Sequence, residues 1–208
     1  MIKVTLLGDS IREIGYGKIV PELLGDGYEV YQPNENCRFS KYTLRGLYDW
    51  AEAMEGSDIV HWNNGHWDAC DLFGVGTFST EEEYIKNMLQ IADILLERHQ
   101  KVIFATTTPL RKEHKKSEKH NANVIRFNSI ITPLLEEKGI IINDLHKLVS
   151  TDVEKYILPT DNIHLSEAGG EVCAKQVVDV IKTVEKTLCD DARKVKCETS
   201  QDKMGVPV

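Results

Sequence analysis

The sequence predicts an α/β protein, a three-layer α/β/α sandwich with a central five-stranded parallel sheet. Short apolar, β-branched runs alternate with stretches of helical periodicity from the first residue onward. The connections between runs are long enough for helical crossovers, which parallel strands require. The runs are also apolar throughout rather than alternating, as strands covered on both faces are.

Taken in order, Ile2 to Leu7 forms the first strand and ends at Gly8. Lys18 to Leu24 reads as a helix closed by Gly25, and Tyr28 to Tyr31 as the second strand. A polar loop from Gln32 to Ser40 precedes a helix over Lys41 to Met54, with Leu44, Leu47, Tyr48 and Ala51 at helical spacing. The third strand, Asp58 to Trp62, breaks at Asn63-Asn64-Gly65. A Gly- and aromatic-rich segment runs from His66 to Phe78, after which Ser79-Thr80 followed by Glu81, Glu82 and Glu83 caps a helix through Leu96. Lys101 to Thr106 is the fourth strand, stopped short of Pro109. Val124 to Glu137 is helical, Ile140 to Ile142 the fifth strand, and Ser166 caps a last helix reaching Leu188. Periodicity fades from Asp190, so residues 1–188 are expected to form one domain and 189–208 a C-terminal tail.

The chain has 208 residues, 25 basic and 33 acidic, for a net charge of −8. It is the right size for one domain. Lys and Arg form no continuous stripe. The densest cluster, Arg111-Lys112-Glu113-His114-Lys115-Lys116, reads as a solvated loop, so no nucleic-acid partner is expected. No apolar run approaches the roughly 18 residues of a spanning helix, so no membrane partner is expected either. The start of the chain carries no signal-peptide pattern, and the five cysteines form no C-x-x-C pair, which together point to the cytoplasm. His61, His66 and Asp68 straddle a turn without a fourth ligand nearby, so no metal site is expected there. Oligomeric state is not legible in the sequence.

In open α/β sheets, ligands bind beyond the carboxyl ends of the strands. The first strand delivers Gly8-Asp9-Ser10 and the third Asn63-Asn64-Gly65-His66-Trp67-Asp68. The fifth leads to Asp161-Asn162-Ile163-His164, just before the last helix. A serine hydroxyl is a weak nucleophile until a base takes its proton, and histidine is the usual base. That imidazole needs a carboxylate to hold its tautomer and stabilise its charged form. Asp161 and His164, three residues apart, can meet on one short loop. No G-x-S-x-G elbow, complete dinucleotide fingerprint or phosphate loop occurs.

Gly8-Asp9-Ser10-Ile11 resembles the first block of the SGNH, or GDSL, hydrolases, and Asp161-x-x-His164 resembles their last block. The resemblance spans residues 1 to about 188 and implies a flavodoxin-like α/β/α fold. It implies a cofactor-free esterase with Ser10 as nucleophile and His164 and Asp161 completing a triad. The oxyanion hole it implies combines the Ser10 N–H, a second-block backbone N–H and a third-block asparagine. Arg38 fits the second role. Asn63 is preferred for the third, with Asn64 as alternative, because the usual Gly-x-Asn-Asp is replaced by an Asn-x-Gly-x-x-Asp turn. Trp67 and His66 are expected to line the substrate pocket. The expected substrate is a small-molecule ester, with an acylated carbohydrate favoured over lipids because no exposed apolar lid segment is recognisable. A thioesterase or lysophospholipase of the same fold, and a non-catalytic small-molecule or carbohydrate-binding module, are the alternatives.

Overall fold

A computed structural model describes residues 1–113 and 115–201. Its sheet is formed by β1 (Ile2–Leu7), β2 (Tyr28–Tyr31), β3 (Ile59–Trp62), β4 (Lys101–Ala105) and β5 (Ile141–Asn143). The strand order is β2-β1-β3-β4-β5 and every pairing is parallel. Successive side chains point to opposite faces, and both faces are dry. Leu7, Val60, Trp62, Val102 and Phe104 pack on one side, and Val4, Leu6, Ile59, Ile103 and Ala105 on the other.

The first face is covered by α2 (Ser40–Asp49), α3 (Ala51–Met54), α5 (Glu81–Arg98) and α6 (Lys115–Glu137), through residues such as Leu47, Met88, Ile91, Phe127 and Ile131. The second is covered by α1 (Val20–Leu24), α7 (Leu145–Ser150) and α9 (Glu167–Gln201), through Val20, Leu145, Cys173, Val177 and Ile181. Two single-turn helices, α4 (His66–Ala69) and α8 (Val153–Tyr156), lie in the loops after β3 and α7. The sandwich and its five parallel strands are those the sequence pattern predicts.

Several boundaries differ. The helix expected over Val124–Glu137 begins at Lys115, so the basic run at 111–116 is not one solvated loop. Its polar first turns carry too few apolar residues to show a period. Arg111, moreover, is buried: its Nε donates to the Ile157 carbonyl at 2.8 Å and its guanidinium pairs with Glu154. The backbone of α9 is helical to Gln201, through much of the stretch expected to be a tail. Asp190 to Lys196 contains neither Gly nor Pro, so nothing in that stretch stops a helix already begun. Residues 202–208 lie outside the described residues. No helix among the described residues is long and apolar enough to cross a membrane.

Candidate active site

Strand order reverses at β1, with β2 on one side of it and β3 on the other, and the carboxyl ends of β1 and β3 leave a crevice between them. The chain leaves β1 through Gly8, where an added Cβ would fall 2.0 Å from Asn63 Oδ1, so only glycine lets the two strand ends sit this close. Asp9 follows, wholly buried, and its Oδ1 accepts from the Ile11 N–H at 2.9 Å. That bond turns the backbone into the short helical turn at 11–15 and leaves Ser10 at its head.

Ser10 Oγ lies 2.9 Å from His164 Nε2, although the residues are 154 apart in sequence. His164 Nδ1 is 2.9 Å from Asp161 Oδ2. The other oxygen of Asp161 accepts from the backbone N–H groups of Ile163 and His164, each at 2.9 Å. Burial works to raise the Asp161 pKa, but these N–H groups and the imidazole outweigh it and hold the carboxyl below its usual range. Asn162 takes a left-handed φ of 67°, which asparagine tolerates, and so folds the loop tightly enough for Asp161 to face His164. The loop is pinned from outside as well. Arg111 N–H donates to the Asn162 carbonyl, Leu158 N–H to the His164 carbonyl, and Ile157 and Leu165 form a bridge.

The expected oxyanion donors are differently placed. Asn63 turns its amide inward, donating to Asp9 Oδ1 at 3.0 Å and accepting from the Tyr16 hydroxyl at 2.8 Å. Asn64 donates to the Arg38 carbonyl and accepts from Trp62 Nε1. The Arg38 N–H, which the resemblance put in the hole, is taken up by Asn36 Oδ1 at 2.7 Å. All three groups brace the crevice, and each of the two amide nitrogens keeps a second N–H beyond the bond named. The hydrogen-bond partners of the two amides are set by contacts between distant segments, which the turn sequence does not reveal.

The space beside Ser10 is a cavity of about 200 Å³, whose walls include His164, His66, Trp67, Leu72 and Ile163. Both residues expected to line a pocket are there. His66 is held by Thr108 Oγ1, 3.0 Å from its Nε2, and burial, with the neighbouring histidines behind it, keeps its pKa well below the ordinary value. His61 belongs to the core instead, edge-on to Tyr16 and 3.0 Å from the Asn143 amide nitrogen. Asp68 is a clamp: its carboxylate accepts from the Ser40 N–H and hydroxyl and the Ser79 hydroxyl, tying α2 to the loop after β3. Among the described residues no cluster of His, Cys, Asp or Glu is arranged to hold a metal.

An exposed apolar segment, not legible as a lid in the sequence, begins at the cavity wall with Leu72. Leu72, Phe73 and Val75 are 48%, 82% and 89% exposed, although a segment of this kind was not expected. Glycines at 74 and 76 break any helical or strand period there, which is why the pattern is invisible without coordinates.

Burial raises the pKa of Asp9 from 3.8 to about 6, against the pull of the Asn63 amide, the Ile11 N–H and Arg12. Unfolded, the carboxyl ionises near pH 4; folded, it stays protonated to about pH 6. Between those values the unfolded state binds fewer protons, so stability falls as pH rises, by about 3 kcal/mol in total. Denaturant unfolding at pH 4.5 and 7.5 is expected to show about 2 kcal/mol of this penalty in the native protein and its loss in Asp9→Asn. Parallel pH profiles for the two proteins would contradict it.

A hydroxyl, an imidazole and a carboxylate thus stand in hydrogen-bonded series at the switch point of a 2-1-3-4-5 sheet, and the proteins the chain resembles are hydrolases acting on ester bonds. The chain is 26% identical over 211 residues to the GDSL esterase/lipase CPRD49 of Arabidopsis thaliana, covering 88% of this chain and 80% of that protein. It is 27% identical over 156 residues to the GDSL esterase/lipase WDL1 of Oryza sativa subsp. japonica, covering 69% and 60%. No protein-family model matches. Among solved structures, a lipase/acylhydrolase from Enterococcus faecalis superposes with a TM-score of 0.72 at 19% identity, over 88% of this chain and 96% of that one. An acetylxylan esterase, Axe2 of Geobacillus stearothermophilus, superposes with a TM-score of 0.73 at 16% identity, over 86% and 93%. The chain is thus similar in sequence to GDSL esterase/lipases and in fold to solved acylhydrolases and acetylxylan esterases, the similarity its first and last blocks lead one to expect.

Proposed function

We propose that this esterase hydrolyses small carboxylic esters, O-acetyl or other short-chain acyl esters, through a Ser-His-Asp acyl-enzyme. The observation that carries the reading is the 2.9 Å approach of Ser10 Oγ to His164 Nε2, continued at 2.9 Å to Asp161. Ser10 Oγ attacks the ester carbonyl as its proton passes to His164 Nε2. The tetrahedral oxyanion is met by the Ser10 N–H, which heads a helical turn where peptide N–H groups lack intrahelical acceptors. Collapse breaks the bond to the alcohol oxygen, which leaves with the proton from His164. A water then attacks the acyl-enzyme, giving its proton to His164, and the carboxylic acid departs as Ser10 Oγ recovers that proton. Asp161 holds the imidazole's Nδ1 protonated and supports its positive charge in both halves.

The 200 Å³ cavity suits a short acyl group, and acetylated carbohydrate is the substrate we favour, in keeping with the acetylxylan esterase among its structural neighbours. Residues 1–188 are proposed as the catalytic unit and 189–208 as an appended segment. The exposed Leu72, Phe73 and Val75 favour one rival, a thioesterase or lysophospholipase acting on longer chains. A series of nitrophenyl esters from acetyl to decanoyl separates the two. Under the short-ester reading kcat/KM is highest for the shortest acyl groups and falls for the longer ones. A steady rise to the longest chain would replace it with the lipid reading.

A further inference from the structure

Cys70, Leu72, His120 and Ile163, which wall the cavity at Ser10, also wall an adjoining lobe of about 520 Å³. The far side of that lobe is lined by Lys115, Lys116 and Lys119, from the first turns of α6, with Asp71 opposite. Lys119 Nζ donates to Asp71 Oδ2 at 2.7 Å, which leaves the other two ammonium groups in excess of the carboxylate on this wall. The neighbouring Glu118 is on the same turn but not on the wall. His120 Nε2 is 3.1 Å from the His66 carbonyl, and burial, that bond notwithstanding, lowers its pKa, so it adds no charge. Cations in a helix's first turn add to the positive end of its dipole instead of offsetting it. A chain of net charge −8 thus places a local positive excess a few side chains from its nucleophile.

We infer that this lobe receives an anionic group, a carboxylate or phosphate, carried on the alcohol portion of the ester. The inference rests on the esterase reading and deepens it. The acyl group occupies the small cavity at Ser10, and the alcohol extends past Ile163 toward Lys115 and Lys116. The bonds made and broken are those given above; the lysines act on binding and on the departing alcohol's orientation.

The test compares 4-acetoxybenzoate with its neutral methyl ester, each kcat/KM divided by the ester's own rate with hydroxide. The native protein is expected to favour the anion about two- to fivefold at low ionic strength, as exposed charge pairs do, with the preference shrinking in 0.5 M salt. The ratio is expected to fall to about one in Lys115→Ala/Lys116→Ala and to invert in Lys115→Glu/Lys116→Glu. A native ratio at or below one, or the same ratio in both variants, would overturn the inference while leaving the esterase standing. An acetylated uronic acid and an acetylated hexose phosphate, each against the neutral acetylated hexose, tell carboxylate from phosphate; preference for either supports the site. Should no ester be cleaved, the esterase reading fails by itself. Binding to Ser10→Ala then decides: tighter binding of 4-acetamidobenzoate than of 4-acetamidobenzamide, lost without the two lysines, supports the lobe, and equal affinity overturns it.

Discussion

Ser10→Ala is expected to lower kcat/KM for a short nitrophenyl ester by about 10⁴- to 10⁶-fold, the loss typical when a serine nucleophile is removed. The hydroxyl is bonded to His164 Nε2 at 2.9 Å and stands at the head of a turn organised by Asp9, not by Ser10 itself. Alanine at this position should therefore change unfolding free energy by less than about 1 kcal/mol, the net worth of one partly exposed hydrogen bond. A fluorophosphonate probe reads the same hydroxyl directly. It should label the native chain at Ser10 and leave the variant unlabelled. Native protein that resists labelling would favour the non-catalytic binding module, and a variant within tenfold of native activity would remove Ser10 as the nucleophile.

His164→Ala is expected to cost as much as Ser10→Ala, and the double variant little more than either, because base and nucleophile act as one unit. Asp161→Asn should cost less, about 10² to 10⁴-fold, since the imidazole remains but loses the partner that fixes its tautomer. The asparagine also alters the loop. Asp161 Oδ1 accepts from two backbone N–H groups, and a neutral amide oxygen accepts them more weakly than a carboxylate does. A structural effect would appear as a loss at every pH, whereas a tautomer effect is relieved when hydroxide takes over the base's role. Activity that climbs from pH 7 to 10 in Asp161→Asn, measured beside a flat native profile, identifies the second. A double variant whose fold-loss is the product of the two single losses would mean that Ser10 and His164 act separately.

The strand-end rule found the Ser10, His164 and Asp161 positions because each is announced locally: Gly-Asp-Ser ends an apolar run, and Asp-x-x-His precedes a capped helix. The supporting contacts were not announced. Asn63 looks like a donor on a turn, yet Gly8 lets it pack against β1, where Asp9 and Tyr16 claim both ends of its amide. Arg38 offers a peptide N–H in the sequence, but the fold gives that N–H to Asn36. Arg111 sits in a basic run that reads as solvent-facing, and only the return of the chain through Glu154 and Ile157 buries it as the brace of the His164 loop. Hydrogen bonds between segments tens of residues apart leave no period and no motif.

By itself, the sequence determined the sandwich, its five strands and the three residues proposed for the chemistry, because apolar periodicity and residues at strand ends are local properties. Tertiary structure alone decided which amides face inward, that Leu72 walls the cavity, and that Lys115, Lys116 and Lys119 line a lobe adjoining it. The reason is geometric. A side chain's charge and size travel with its residue, but its partners are chosen by whichever distant segment the packed core brings within hydrogen-bonding reach.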